Sequence, residues 1–527
     1  MSDQLTILSF PVVLAVACLL AEAAALLGLR RAAGGKKPAW PLLVRWSARP
    51  WLVWAVFSMV YRLHPDKGFN NVRTFPFFSN LWHSSEGWMD SFVRIATAPA
   101  GWIFIPTTLL TLTALCMLAR KISRPDSGVK TWETLFAVYL LGLLLMLVIA
   151  SLPDGPLLKE HGRAGALTRS WQAHTTVLWA LPHIRTKSHF LRNFEEIQPR
   201  LRGTIHGLSH PPGGALSLYF IGKVIGADHE DYRSHMTRFQ YLIGLALFSF
   251  LNVFVLYGLG YLLFDDRRTG LTAALLWTAA PSTLAYSYFA QNGLYAVFFC
   301  LALLLTWTTV FKSDRPGRWA VPLGLVFYLL TMMNYAWCIA TSIFAVFALA
   351  TGLQRRWRPA DILIRAILPL GIMTLLLGAT LLYYRLDYLA IYKVSSDYVG
   401  QWYRFTSPYK WLAALLGGQI DMWLMMGSAT CSFFLAGAGA ALRRKPLKPA
   451  TVFLLIILCV FALPLVFGPN PLKMETARCW NWILAVPLAF AANRIMQMEK
   501  AEMLLPAVTA VSGTTYLLMR LYLDFAP

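Results

Sequence analysis

Apolar runs of roughly 20 residues recur along almost the whole of this 527-residue chain. A run of that length, wound as a helix rising ~1.5 Å per residue, crosses a ~30 Å hydrocarbon layer. In lipid every backbone N–H and C=O must find its partner within the protein, which leaves helices or a closed barrel. A barrel is built from short alternating segments, and these runs are continuous. The expectation is an all-α polytopic membrane protein with about 13–14 transmembrane helices. Candidate spans cover 5–29, 40–62, 97–119, 132–152, 238–264, 269–289, 293–311, 318–334, 335–353, 362–383, 422–441, 450–467, 479–494 and 502–524. The run at 40–62 carries Arg45 and Arg49 and reads also as an interfacial helix. No basic stretch precedes Leu5–Leu29, and that run exceeds a signal-peptide core, so it reads as a retained helix.

Charged residues make up only 14% of the chain, against about 25% in soluble domains, yet the formal net charge is +22. In a soluble protein that excess points to nucleic acid. Here Lys and Arg gather in short clusters between apolar runs: 30–37, 119–130, 264–270, 312–318, 354–359, 442–448 and 493–500. They read as orientation signals facing the cytoplasm across a plasma (inner) membrane, with lipid and not nucleic acid as the surroundings. One alternation of spans puts every cluster on that side, provided 208–226 is a surface or re-entrant helix. A full span there would carry Arg267 and Arg268 outward. The opposite side then receives 63–96, 153–237, 384–421 and 467–478. All 10 histidines fall in the first two of these loops. The 7 cysteines form no CxxC, which argues against a disulfide framework or a zinc ribbon.

Three parts follow: accessory helices over 1–131, a core over 132–383 that contains the long outer loop 153–237, and a C-terminal part over 384–527. The loop holds most of the residues suited to chemistry. Asp154 follows the 132–152 span in SLPDGPLLKE, where low dielectric raises a carboxyl toward a useful base. P-D-G-P is also good turn chemistry in its own right. Further on, IHGLSHPPGGAL places His206 and His210 beside Pro211 and Pro212. Proline favours the first helical position, so a helix should start here with Ser209 or His210 as its cap. The open N–H groups at such a start suit a phosphate, Gly213 and Gly214 allow close approach, and both histidines can donate. The plainer reading is a helix start with two structural histidines.

Late in the chain FGPNPLKMETAR carries Lys473, Glu475 and Arg478 ahead of a span. Arg478 can meet a lipid-linked phosphate bidentately or simply snorkel to the interface. The loop 384–421 is rich in tyrosine and tryptophan, Tyr398 and Trp402 among them. Such rings, with Asp387 and Asp397, suit a carbohydrate or lipid head, and an aromatic belt has the same composition.

The order of span, outer acid, long outer loop, H-P-P-G, a surface helix ending GKVIGA, and Arg238 opening a span that ends LLFDDRRTG resembles the membrane-embedded GT-C glycosyltransferases. That superfamily includes the protein O-mannosyltransferases and the aminoarabinose transferases of lipid A. The resemblance covers roughly 132–383, and HPPG is its most specific element. It implies a GT-C-like core, a polyprenyl-phosphate-linked sugar as donor, and a glycan, lipid or protein acceptor on the extracytoplasmic side. By position it makes Asp154 the base, with Glu160, Glu195 and Glu196 in reserve. His206, His210, Gly213, Lys473 and Arg478 would hold the donor phosphate, and Glu475, Tyr398 and Trp402 would contact the acceptor or head group. Many relatives place a second acid in the turn of the next hairpin. Here Gln291 and Asn292 stand there instead, which puts a divalent metal in doubt, and no metal ligand is assigned.

Two other classes stay open. One is a transporter or flippase for a lipid-linked or anionic solute, for which mid-membrane ionisable groups are the usual sign. Only Glu22 falls clearly inside a candidate span, with Arg520 near the end of another. The other is a non-catalytic scaffold of envelope polysaccharide assembly, favoured if Asn292 marks lost catalysis.

Overall fold

The computed structural model describes residues 48, 50–53, 99–125, 128–150, 176–201, 210–231, 234–287, 292–402, 408–467 and 480–522. Among them there is no strand, and most of them are helical. In chain order they are α1 (Pro99–Ser123), α2 (Thr131–Ala150), α3 (Lys187–Arg192), α4 (Phe194–Arg200), α5 (Pro212–Ile225), α6 (His235–Phe250), α7 (Asn252–Phe264), α8 (Arg267–Ala279) and α9 (Pro281–Tyr286). They continue as α10 (Asn292–Lys312, ending in a π turn), α11 (Gly317–Met333), α12 (Trp337–Arg355) and α13 (Pro359–Tyr384, with a π turn at Leu363–Ile367). The last are α14 (Tyr388–Trp402), α15 (Pro408–Met425), α16 (Ser428–Leu442), α17 (Pro449–Phe467), α18 (Ala485–Met496) and α19 (Ala501–Tyr522). A 3-10 stretch, Thr176–His183, precedes α3, and a second, Asn481–Leu484, leads into α18.

The chain is a helical membrane protein. Six helices among the described residues are long and apolar enough to cross a membrane, or seven with the bent pair α15–α16 taken as one. The number falls below the sequence expectation for two reasons. The expected spans at 5–29 and 40–62 lie largely outside the described residues. Elsewhere, breaks leave helices too short to cross: α8 has 13 residues and α11, though apolar, has 17. Helix α8 is buried along nearly its whole length and holds Thr269, Thr272 and Thr278, whereas only 11% of the apolar window of α13 is buried.

Small residues let the central helices approach closely, as membrane bundles require. A Cβ on Gly260 of α7 would sit 3.1 Å from the Gly270 Cα of α8, and one on Gly437 of α16 would sit 3.0 Å from the Phe490 carbonyl of α18. The expected span 269–289 is broken at Ala280, which is extended (φ −64°, ψ 132°) because Pro281 follows it.

Every basic cluster that the structure describes reaches one end of the bundle. Arg124 pairs with Glu502 (3.3 Å), Arg268 donates to the Ser123 carbonyl, and Lys312 pairs with Asp265 (3.2 Å). Arg355 donates to the Phe311 carbonyl (3.1 Å), and Arg444, Lys448 and Arg494 line one cleft with Lys312. The opposite end is closed by a layer of short helices. Gln198 of α4 donates to Ser395 of α14 (3.0 Å), whose hydroxyl also meets the Tyr335 hydroxyl (3.0 Å). Tyr388 donates to the Thr331 carbonyl at the end of α11 (2.7 Å).

Candidate functional site at the end opposite the basic clusters

Helix α5 has 14 residues, so it is about 21 Å long and too short to cross a ~30 Å layer. It starts one residue later than the expected cap. Pro211 is the N-cap (φ −63°, ψ 165°), Pro212 takes the first helical position, and Gly226 in the left-handed conformation ends it. His210, just ahead, stacks on Tyr295 of α10 with ring centroids 5.8 Å apart. The start of α5 is therefore fixed against the start of α10 and the end of α11. Gly213 accounts for the second contact: a Cβ there would lie 2.4 Å from the Met332 carbonyl oxygen. The close approach that Gly213 permits is made by α11.

Of the other expected site residues, Asp154, Glu160, His206, Lys473, Glu475 and Arg478 lie outside the described residues, as does the side chain of Trp402. Tyr398 is half-buried on α14, one turn beyond Ser395. The loop expected over 384–421 is two helices, α14 and α15, and one of its acids, Asp387, has structural work. Asp387 accepts from the N–H groups of Leu389 (2.9 Å) and Ala390 (3.0 Å), capping α14, and its own N–H donates to the Glu195 carboxylate. Glu195 thereby ties α4 to α14, although the sequence put it in reserve as a base. Burial pushes the Tyr335 and Tyr388 hydroxyls up, against the opposing hydrogen bond from Ser395 in the case of Tyr335. Both phenols remain protonated donors at neutral pH.

A basic and aromatic surface runs around this end. Lys187 lies over the Phe220 ring (4.1 Å to its centroid), Arg192 over Tyr383 (5.5 Å) and Lys223 over Tyr219 (4.8 Å). Tyr219 also stacks on His229 (4.5 Å), which hydrogen-bonds through Nδ1 to the Tyr241 hydroxyl and so ties the loop after α5 to α6. Burial lowers the His229 pKa, with Lys223 adding to the effect and Asp228 opposing it. A lowered pKa means that the unfolded chain binds the proton more readily. The contribution of His229 is then complete above its ordinary value near 6.5 and is lost as pH falls below it. His229→Gln should flatten the fall in thermal unfolding midpoint between pH 7 and pH 5; an unchanged slope removes His229 from that role.

The interior beneath this end is unexpectedly polar. Helix α15 meets α16 at a 100° bend, where Gly427 has φ +98° and a Cβ would lie 2.5 Å from the Ser512 hydroxyl of α19. Asp421, in the last two turns of α15, is 3% exposed. Among the described residues its Oδ1 has no hydrogen-bond partner, nor do Gln419 Nε2, Thr430 Oγ1 and Ser512 Oγ around the same bend. Helix α9 packs on α15 and α19 and adds Ser282 Oγ and Thr283 Oγ1 in the same condition. Such atoms in a low-dielectric interior are costly unless a polar guest meets them. The outer loop expected over 384–421 takes in Asp421 because GGQID interrupts the apolar pattern; the paired glycines and the acid mark a broken helix. Among the described residues no group of three His, Cys, Asp or Glu side chains could hold a metal ion.

No known protein family matches this chain, and no curated protein does. The functional reading therefore rests on the residues themselves.

Proposed function

We propose that this protein is an integral-membrane glycosyltransferase of the GT-C type. It moves a sugar, with inversion, from a polyprenyl-phosphate donor to an acceptor at the end of the bundle opposite the basic clusters. The supporting observation is the placement of α5. A helix too short to span begins at the proline pair, with His210 stacked on Tyr295, under a layer of surface helices whose cations lie over aromatic rings. In this reading Asp154 takes the proton of the acceptor hydroxyl as its oxygen attacks the sugar carbon, and the carbon–oxygen bond to the phosphate breaks. Polyprenyl phosphate leaves with the bonding electrons. His206, His210, Lys473 and Arg478 stabilise the charge on that phosphate. Glu160 is the reserve base, and Glu475, Tyr398 and Trp402 face the acceptor. The extracytoplasmic side of the plasma membrane is where such a reaction fits the charge pattern.

Profiling lipid-linked glycans and envelope acceptors in a deletion strain tests the reading. The expected result is accumulation of one polyprenyl-phosphate sugar together with loss of that sugar from one acceptor. An unchanged profile overturns it.

One observation favours a second reading, a transporter or flippase. Buried ionisable groups at broken membrane helices commonly bind solutes or ions, and Asp421 sits at such a break. The two readings part at this residue. Asp421→Asn should leave sugar transfer within a few-fold of wild type if the protein is a transferase, and should abolish solute movement if it is a transporter.

A further inference from the structure

We propose that the basic end of the bundle carries a separate site, a cleft that holds the phosphodiester headgroup of an anionic phospholipid. The cleft lies where the ends of α7, α10, α16 and α18 meet the start of α17, and its volume is about 270 Å³. That is close to the lower end of ligand-sized cavities, which begin near 300 Å³. Four cations line it: Lys312, Arg444, Lys448 and Arg494. Asp265 is the one acid among the described residues of its wall, and it is engaged by Lys312 at 3.2 Å. The positive charge of the other three is uncompensated within the cleft.

Arg494 makes the cleft a built site. Its Nε is buried and has no hydrogen-bond acceptor among the described residues, while its Cβ lies 3.2 Å from the position a Gly437 Cβ would take. The stem is clamped against α16, so the planar guanidinium is held in place with a donor unspent, the arrangement that suits a phosphate oxygen. The Asn493 and Gln497 side chains stand beside it, joined by a 3.1 Å hydrogen bond from Gln497 Nε2 to Asn493 Oδ1. Below the cations the wall is apolar, through Leu262, Phe264, Trp307, Phe311 and Phe490. A polar, cationic rim over an apolar wall at the membrane end of a helix bundle fits a lipid headgroup with its chains directed into the bilayer. A second groove at the same end, about 740 Å³, is larger, but three of its four lining cations are engaged: Arg124 pairs with Glu502, Lys130 with Glu133 (2.8 Å), and Arg268 donates to the Ser123 carbonyl.

The test uses the purified full chain in neutral detergent, with native mass spectrometry counting bound dioleoyl-phosphatidylglycerol against dioleoyl-phosphatidylcholine. Wild type should retain phosphatidylglycerol preferentially. Arg444 and Lys448 are exposed, so the double variant Arg444→Gln, Lys448→Gln should fold and should bind phosphatidylglycerol at least roughly ten-fold more weakly. The matched control removes the same charge from Arg443 and Lys445, which are also exposed but do not line the cleft. It should keep the preference. Equal losses in the two double variants, or no preference in wild type, overturn the proposal. So does displacement of the lipid by millimolar inorganic phosphate at constant ionic strength, which would assign the cleft to a soluble anion.

Discussion

Asp154→Asn should lower sugar transfer by roughly 10²–10⁴-fold, the range that a positioned general base contributes. The loss should appear in the turnover number while donor affinity stays near wild type, because the residue is assigned to the acceptor hydroxyl and not to the phosphate. Thermal stability should change little, since an amide preserves the shape and hydrogen-bonding reach of the side chain. Arg478→Ala should behave in the opposite sense and weaken donor use. Steady-state kinetics on the two variants, with donor and acceptor varied separately, make that division measurable. An Asp154→Asn protein of full activity would remove this carboxylate from the mechanism and pass the role to Glu160.

The second large effect is expected at Gly213. Its missing side chain leaves room for the Met332 carbonyl, 2.4 Å from where a Cβ would stand. The obstructing atom is backbone at the end of α11, so relief needs a movement of one helix against the other. Overpacking of this kind costs about 1–3 kcal/mol. Gly213→Val should lower the thermal unfolding midpoint and should also reduce transfer, because the start of α5 and His210 shift together. Gly371→Val is the comparison. Gly371 lies in α13 with nothing within 4 Å of its Cβ position, so the midpoint should hardly move. Similar shifts in the two variants would mean that the docking of α5 on α11 contributes nothing special.

Helix positions were legible in the sequence wherever an apolar run meets lipid. The expected spans 97–119, 132–152, 238–264 and 293–311 correspond to α1, α2, the continuous pair α6–α7 and α10. The proline pair also marked the start of α5 to within a residue or two. Breaks inside the bundle were harder to read. Pro281 interrupts what reads as one run, and α15 was hidden because Gly417, Gly418, Gln419 and Asp421 lower its hydropathy while packing buries its last turns. The cap at the end opposite the basic clusters was not legible at all. Its ties join Gln198 to Ser395 and Glu195 to Asp387, pairs nearly 200 residues apart in the chain (|i−j| 197 and 192), and no local periodicity encodes such partners. The candidate site divides in the same way. Residue chemistry singled out His210 and Gly213, but only packing assigns His210 to Tyr295 and Gly213 to Met332.

The most direct test supplies the purified protein, in nanodiscs, with polyprenyl-phosphate sugars and an extract of envelope acceptors, and follows the donor's sugar–phosphate bond. A transferase releases polyprenyl phosphate one for one with glycosylated acceptor, and the new linkage has the opposite anomeric configuration to the donor. Recovery of every donor molecule intact, with the same protein in sealed vesicles carrying the donor from one leaflet to the other, would contradict the account.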